Sequence, residues 1–189
     1  MKSIPSRSSL PALLVLLFLC HTSQAQELDP THGEQKAAMS KLKPLVREWK
    51  GSGWIQFGPR RFEFESSEVF VEKAGGLAIV VEGLHHMPMP DGTKRVVHNA
   101  VAMINFDAKS DRYRFATQLT NGRAGTYHAM LTEDGDFRWI IPDTPLGKMV
   151  YTISFQKDGN YCEIGELVSK SGGRKNFFEM NLQKVKRAT

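Results

Sequence analysis

The chain has 189 residues, 25 lysines and arginines against 20 aspartates and glutamates, a formal net charge of +5 and two cysteines. A chain of this order holds one domain with a core of its own, so no second domain is needed. Its mild, interspersed excess of basic residues describes a solvated surface. Lys184, Lys186 and Arg187 at the tail and the Arg60–Arg61 pair are too scattered to read as a nucleic-acid footprint, so no nucleic-acid partner is expected.

Lys2 and Arg7 precede an apolar run from Leu10 to Cys20, and His21-Thr22-Ser23-Gln24-Ala25 follows it. A basic start, a short apolar stretch and a small residue at the cut predict a secretory signal peptide over 1–25, cleaved after Ala25. The run is shorter than the roughly 20 apolar residues that a membrane span takes. Leu19 stands where lipidation of Cys20 wants a small residue. The expected product is exported, periplasmic or secreted, with no membrane span. Losing Lys2 and Arg7 and no acid lowers the net charge from +5 to +3. Cys20 leaves with the leader, so Cys162 has no partner and the domain is held by its core alone.

Residues 26–35 are polar and aperiodic and predict a flexible lead-in, with the folded domain over 36–189. From about Glu34, Ala38, Leu42, Leu45 and Trp49 recur at helical spacing. Pro44 falls inside that pattern, and proline is tolerated only near a helix start. Two short helical pieces meeting near Lys43 are predicted. Gly51 and Gly53 then bracket the entry into a first strand beginning near Trp54.

From there to the end, short segments rich in β-branched and aromatic residues alternate with turn signals. Strands are predicted at 53–58, 61–72, 77–87, 94–106, 112–119, 124–132, 137–142, 148–156, 161–169 and 175–185. Asp91-Gly92, Asn121-Gly122, Asp134-Gly135 and Asp158-Gly159 supply the positive φ values that tight hairpins demand. Sequential strands with no helix-length insert predict an all-β fold, an up-and-down antiparallel barrel of about ten strands with a short N-terminal helical plug.

Alternation assigns the faces. Phe137, Trp139 and Ile141 share one side, as do Tyr113, Phe115 and Thr117; Met149, Tyr151, Ile153 and Phe155; and Phe178, Met180 and Leu182. The second strand shifts phase, with Phe62 and Phe64 on one parity and Val69 and Val71 on the other. A β-bulge near Ser66–Ser67 would reconcile its halves.

Leu42-x-Pro44-Leu45-Val46-x-x-Trp49-x-Gly51-x-Gly53, the strand–turn–strand rhythm, and Glu166, Gly172-Gly173 and Phe178-Glu179-Met180 near the end resemble exported bacterial calycin-like barrels, a group that includes families of unassigned function. These are similar to lipocalins, fatty-acid-binding proteins and the haem-binding nitrobindins. The resemblance implies a lumen for a small apolar or amphipathic molecule. Nitrobindin haem is held by a histidine near the C-terminus, whereas no histidine follows His128 here. No cofactor is expected.

On this reading Phe115, Trp139, Tyr151 and Phe178 form the apolar wall of a ligand site, and His98, Thr117, His128 and Glu166 orient the ligand. Binding cavities combine such a wall with a few polar groups. The competing reading is a packed core in which Tyr151 and Thr117 satisfy one another while His98 and His128 face solvent. His85-His86-Met87-Pro88-Met89-Pro90 invites a copper site. Adjacent histidines on a strand point to opposite faces, however, and a hairpin loop is the expected role, with no metal. No Gly-x-Ser-x-Gly or His-Glu-x-x-His occurs. The alternatives to a binding barrel are a hydrolase or isomerase using His128 and Glu166, and a ligand-free interaction barrel.

Overall fold

The computed structural model describes residues 28–185. The predicted signal peptide and its cleavage site lie outside the described residues. Among those described, no helix is long and apolar enough to cross a membrane.

The chain begins with a helix, α1 (His32–Ser40), then a 3-10 turn at Lys43–Leu45 that carries Pro44. Proline fits there because a first turn leaves its amide position unpaired anyway. The helix starts earlier than expected, inside the predicted lead-in. The Asp29 carboxylate accepts hydrogen bonds from the Thr31 amide and hydroxyl, at 2.8 and 2.5 Å, which fixes the chain entering the helix.

Ten strands follow: β1 (Glu48–Phe57), β2 (Arg60–Lys73), β3 (Ala78–Pro88), β4 (Lys94–Asp107), β5 (Arg112–Leu119), β6 (Ala124–Leu131), β7 (Phe137–Thr144), β8 (Gly147–Phe155), β9 (Tyr161–Val168) and β10 (Arg174–Lys184). Each pairs antiparallel with its sequence neighbours, and β1 pairs with β10 to close the barrel. Strand β1 begins at Glu48, because Trp49 already pairs with Glu68 on one side and Lys184 on the other. Gly53 therefore lies inside the strand and does not serve as its entry turn. A Cβ there would fall 2.6 Å from the Phe64 ring and 2.5 Å from the Glu179 carbonyl, so glycine permits the contact.

The two ends of the barrel differ. At the plug end Leu42, Leu45 and Trp49 are sealed among Ile104, Phe137 and Tyr161. The Trp49 indole donates to the Leu45 carbonyl at 2.9 Å, and the Tyr113 hydroxyl donates to the Ala38 carbonyl at 2.8 Å. These two bonds tie the helical segment across the opening. At the opposite end, reached by the β1–β2, β3–β4, β5–β6, β7–β8 and β9–β10 turns, no described element crosses the mouth.

The bulge expected near Ser66–Ser67 does not occur. Strand β2 keeps unbroken register with both β1 and β3. Phe62, Phe64, Ser66, Glu68 and Phe70 all share one face, the inner one, while Val69 and Val71 point outward. The phase shift in hydrophobicity reflects two polar residues inside the barrel. Register shifts fall instead at His85/His86, Ile141/Thr144 and Asn176/Phe178.

Candidate functional site

Midway along the axis the inward rings form a belt. His98 stacks on His85 at 4.6 Å between centroids, and His85 on Phe64 at 4.7 Å and 4°. Phe64 lies 5.7 Å from Phe178, which meets Tyr151 edge-on at 5.9 Å. Tyr151 stacks on Trp139 at 4.2 Å and 5°, and Trp139 on Phe115 at 4.6 Å and 22°. Tyr127 of β6 leans on Trp139 at 5.5 Å. The belt runs from β4 through β3, β2, β10, β8 and β7 to β5, which is the neighbour of β4. The strands that it skips between β2 and β8 carry glycines. Besides Gly53 in β1, Gly165 in β9 would place a Cβ 2.9 Å from Phe178 Cβ and 3.0 Å from the Tyr151 ring.

On the plug side of the belt lies a polar cluster. His85 Nε2 and Glu68 Oε1 are 3.0 Å apart and both residues are buried. Glu68 has room because Gly83 faces it: a Cβ there would sit 2.9 Å from Oε1. Burial pushes the Glu68 carboxyl up to about 8. Burial holds His85 down to about 4, the adjacent His86 adding to the effect. Both directions favour a neutral pair in which the Glu68 carboxyl donates to His85 Nε2. His98 is likewise held near 4, first by burial, then by His85 and Arg123.

Across the lumen the Tyr161 hydroxyl donates to Glu163 Oε2 at 2.9 Å. Burial, with Glu68 next, raises Glu163 to about 7, while the Tyr161 hydroxyl pulls it back and the Trp139 indole, outside hydrogen-bond geometry, lowers it further. Two buried polar atoms, Ser66 Oγ and Trp139 Nε1, find no hydrogen-bond partner among the described residues. An unpaired buried donor costs about 1–3 kcal/mol, so each is a point at which a bound acceptor gains.

Of the predicted site residues, the structure brings Phe115, Trp139, Tyr151, Phe178 and His98 into the belt and places Thr117 beside it toward the mouth. His128 and Glu166 lie elsewhere. His128 sits on the exposed face of β6, opposite the parity of Tyr127 and Ala129. Glu166 shares the outer face of β9 with Cys162 and Ile164 and pairs with Arg174 at 3.2 Å. The carboxylate that faces inward on that strand is Glu163. The two outward residues stand three strand spacings apart, about 14 Å, so the His128–Glu166 dyad does not form. His85 and His86 alternate as expected, His85 inward and His86 outward. No group of three or more His, Cys, Asp or Glu among the described residues is placed to hold a metal ion.

Sequence reasoning missed Phe64, Ser66, Glu68, His85, Tyr161 and Glu163. For all but Tyr161 a signal was present: each of the others lies at even spacing from a buried apolar residue of its own strand. Depressions outside the lumen do not touch this cluster. One, of about 10 Å³, lies beside the plug; a broad groove of about 460 Å³ lies against Val80, Met103, Ala116 and Thr126 on β3–β6.

No protein-family model matches the chain, and no curated protein matches its sequence. The crystal structure of Rv2717c from M. tuberculosis is similar, with a TM-score of 0.56 and 15% identity, covering 85% of this chain and 100% of that one. At that identity the similarity is one of fold.

Proposed function

We propose that this is an exported, calycin-like binding protein that takes a small, flat, amphipathic molecule into the barrel through the open end. The observation that carries the reading is the state of the belt. Phe115, Tyr127, Trp139 and Tyr151 point into a closed barrel yet stay only half-buried, whereas Trp49, Phe137 and Tyr161 at the plug end are sealed. Stacked aromatic faces suit a planar apolar body. The neutral Glu68–His85 pair and the orphan Trp139 and Ser66 groups suit an uncharged inner end that bears hydrogen-bonding atoms. A charged inner end would meet an apolar site and pay desolvation.

Native mass spectrometry of the purified protein is the first test, followed by titration with flat amphipathic compounds read by tryptophan fluorescence. A releasable mass excess, or saturable quenching, is expected. Trp139→Phe keeps the stack and removes the donor, and should weaken binding about tenfold, the worth of one hydrogen bond. A bare polypeptide mass with no quenching by any compound would move the assignment to a packed barrel acting through its surface.

A second reading uses the same lumen. A buried carboxyl that shares its proton with an imidazole at 3.0 Å is a proton-transfer pair, in which Glu68 gives up its proton as a general acid and the pair takes one back. In that case the ligand is recovered chemically changed, and Glu68→Gln stops the change while binding persists.

A further inference from the structure

We infer that the open end of the barrel is a docking face for an anionic lipid membrane. In an up-and-down barrel alternate turns gather at one end, so charges that look scattered along the chain become a ring. Take each turn together with the two strand residues on either side. The mouth then carries Arg60 and Arg61 at β1–β2, Lys94 and Arg95 at β3–β4, and Arg123 at β5–β6. It further carries Lys148 at β7–β8 and three cations, Lys170, Arg174 and Lys175, at β9–β10; the only acids are Asp91 and Asp143. The same count over the plug-end turns gives five cations against seven acids, with Glu133, Asp134 and Asp136 in one turn alone. The formal balance is +7 at the mouth and −2 over the plug-end turns; the plug segment 28–47 adds Lys36, Lys41, Lys43 and Arg47 against Asp29 and Glu34, and Glu48 offsets Lys184, which leaves the plug end neutral.

Three of the mouth cations have carboxylate partners on the barrel wall: Arg61 with Glu63, Lys94 with Glu65 and Arg174 with Glu166. Arg60, Arg95, Arg123, Lys148, Lys170 and Lys175 make no salt bridge among the described residues. Interleaved with them are apolar tips. Leu146 is 66% exposed in the β7–β8 turn and Phe57 is 63% exposed at the β1–β2 turn, with Val96 at 50% beside the β3–β4 turn. Cations ringed with protruding apolar side chains on one end of a molecule fit a surface that is negative outside and apolar just beneath. A soluble polyanion needs the cations and has no use for Phe57 or Leu146. This inference goes beyond the proposed lumen ligand and stands without it.

The test is co-sedimentation of the full chain with vesicles containing phosphatidylglycerol against vesicles of phosphatidylcholine alone. Every variant carries the same leader, whose Lys2 and Arg7 give an anionic preference of their own, so the differences between variants are what read the mouth. Binding to the anionic vesicles should be at least about tenfold stronger, since each cation near such a surface contributes about 1 kcal/mol. It should fall as salt shortens the screening length from about 10 Å at 0.1 M to about 3 Å at 1 M. Lys170→Glu with Lys175→Glu should remove most of the preference. Phe57→Ser with Leu146→Ser should weaken binding while leaving its salt dependence. Arg60→Glu with Lys148→Glu makes the same charge change in two other turns and reads the same quantity if the first pair impairs folding. Equal binding to both vesicle types overturns the proposal. So does binding that the charge reversals leave unchanged, or retention on duplex DNA as strong as on vesicles and indifferent to Phe57 and Leu146.

Discussion

Glu68 lies among rings, with one imidazole in reach and no cation beside it, so its proton becomes part of the fold. Its carboxyl titrates near 8 when folded and near 4.5 when unfolded. Between those values the folded state holds a proton that the unfolded state has released, and stability therefore falls as pH rises. His85 and His98 act in the opposite sense: their folded values near 4 lie below the ordinary 6.5, so their contribution is present above 6.5 and is lost toward 4. Glu163, raised to about 7, adds to the Glu68 effect. From pH 4.5 to 6.5 the carboxyls and imidazoles offset one another. From 6.5 to 8 only the carboxyls act, each by up to about 1.4 kcal/mol per pH unit. Urea unfolding at pH 6.5 and 8 should show the wild type losing a few kcal/mol, and Glu68→Gln losing less by about 2. Equal losses in the two proteins would mean that the Glu68 proton is not held as the geometry implies.

At the scale of the strand, Gly53 shows how one residue without a side chain lets its neighbour's ring settle into the belt. Gly53→Ala forces a Cβ against Phe64 and the Glu179 carbonyl, and overpacking of this kind costs about 1–3 kcal/mol. Gly33, with nothing within 4 Å of its added Cβ, lies in α1, where alanine is the better helix former. Thermal unfolding should therefore separate the two: Gly53→Ala lowered by several degrees, Gly33→Ala unchanged or raised. The strands themselves were legible, because period-2 alternation and Asn-Gly or Asp-Gly turns are local signals. The site was legible only in its apolar half. Trp139 and Tyr151 sit among apolar residues of matching parity, so pattern alone places them. Ser66 and Glu68 break the apolar pattern on β2, and a bulge is the cheaper explanation until the register with β1 and β3 is known. Glu166 took the inward place of Glu163, three residues away and so on the opposite parity, the error to which a period of two is most exposed.

Over the whole barrel, packing and opening are divided along the axis. The plug end holds the sealed core, where Trp49 has no exposure and lies 5.7 Å from Tyr161 and 5.9 Å from Phe155. On the mouth side of it Phe115, Tyr127, Trp139 and Tyr151 of the belt are half-buried, while Phe64, His85 and Phe178 are buried, so the first four rings surrender less contact when they are cut back. Barrel closure also explains why the charge polarity was invisible in a net count: topology sorts alternate turns to opposite ends, whereas composition adds them together. Stability and binding should separate along the same axis. Trp49→Ala leaves a cavity in the sealed end and should cost about 3–5 kcal/mol, with the affinity of whatever protein remains folded little changed. Phe115→Ala removes a half-buried ring and should cost clearly less in unfolding free energy, while lowering affinity for a flat ligand more than tenfold, as the loss of one stacking face implies. Chemical unfolding and fluorescence titration on the same two variants read both quantities. If Phe115→Ala proves as destabilising as Trp49→Ala, the belt is part of the packed core and the mouth is not the way in.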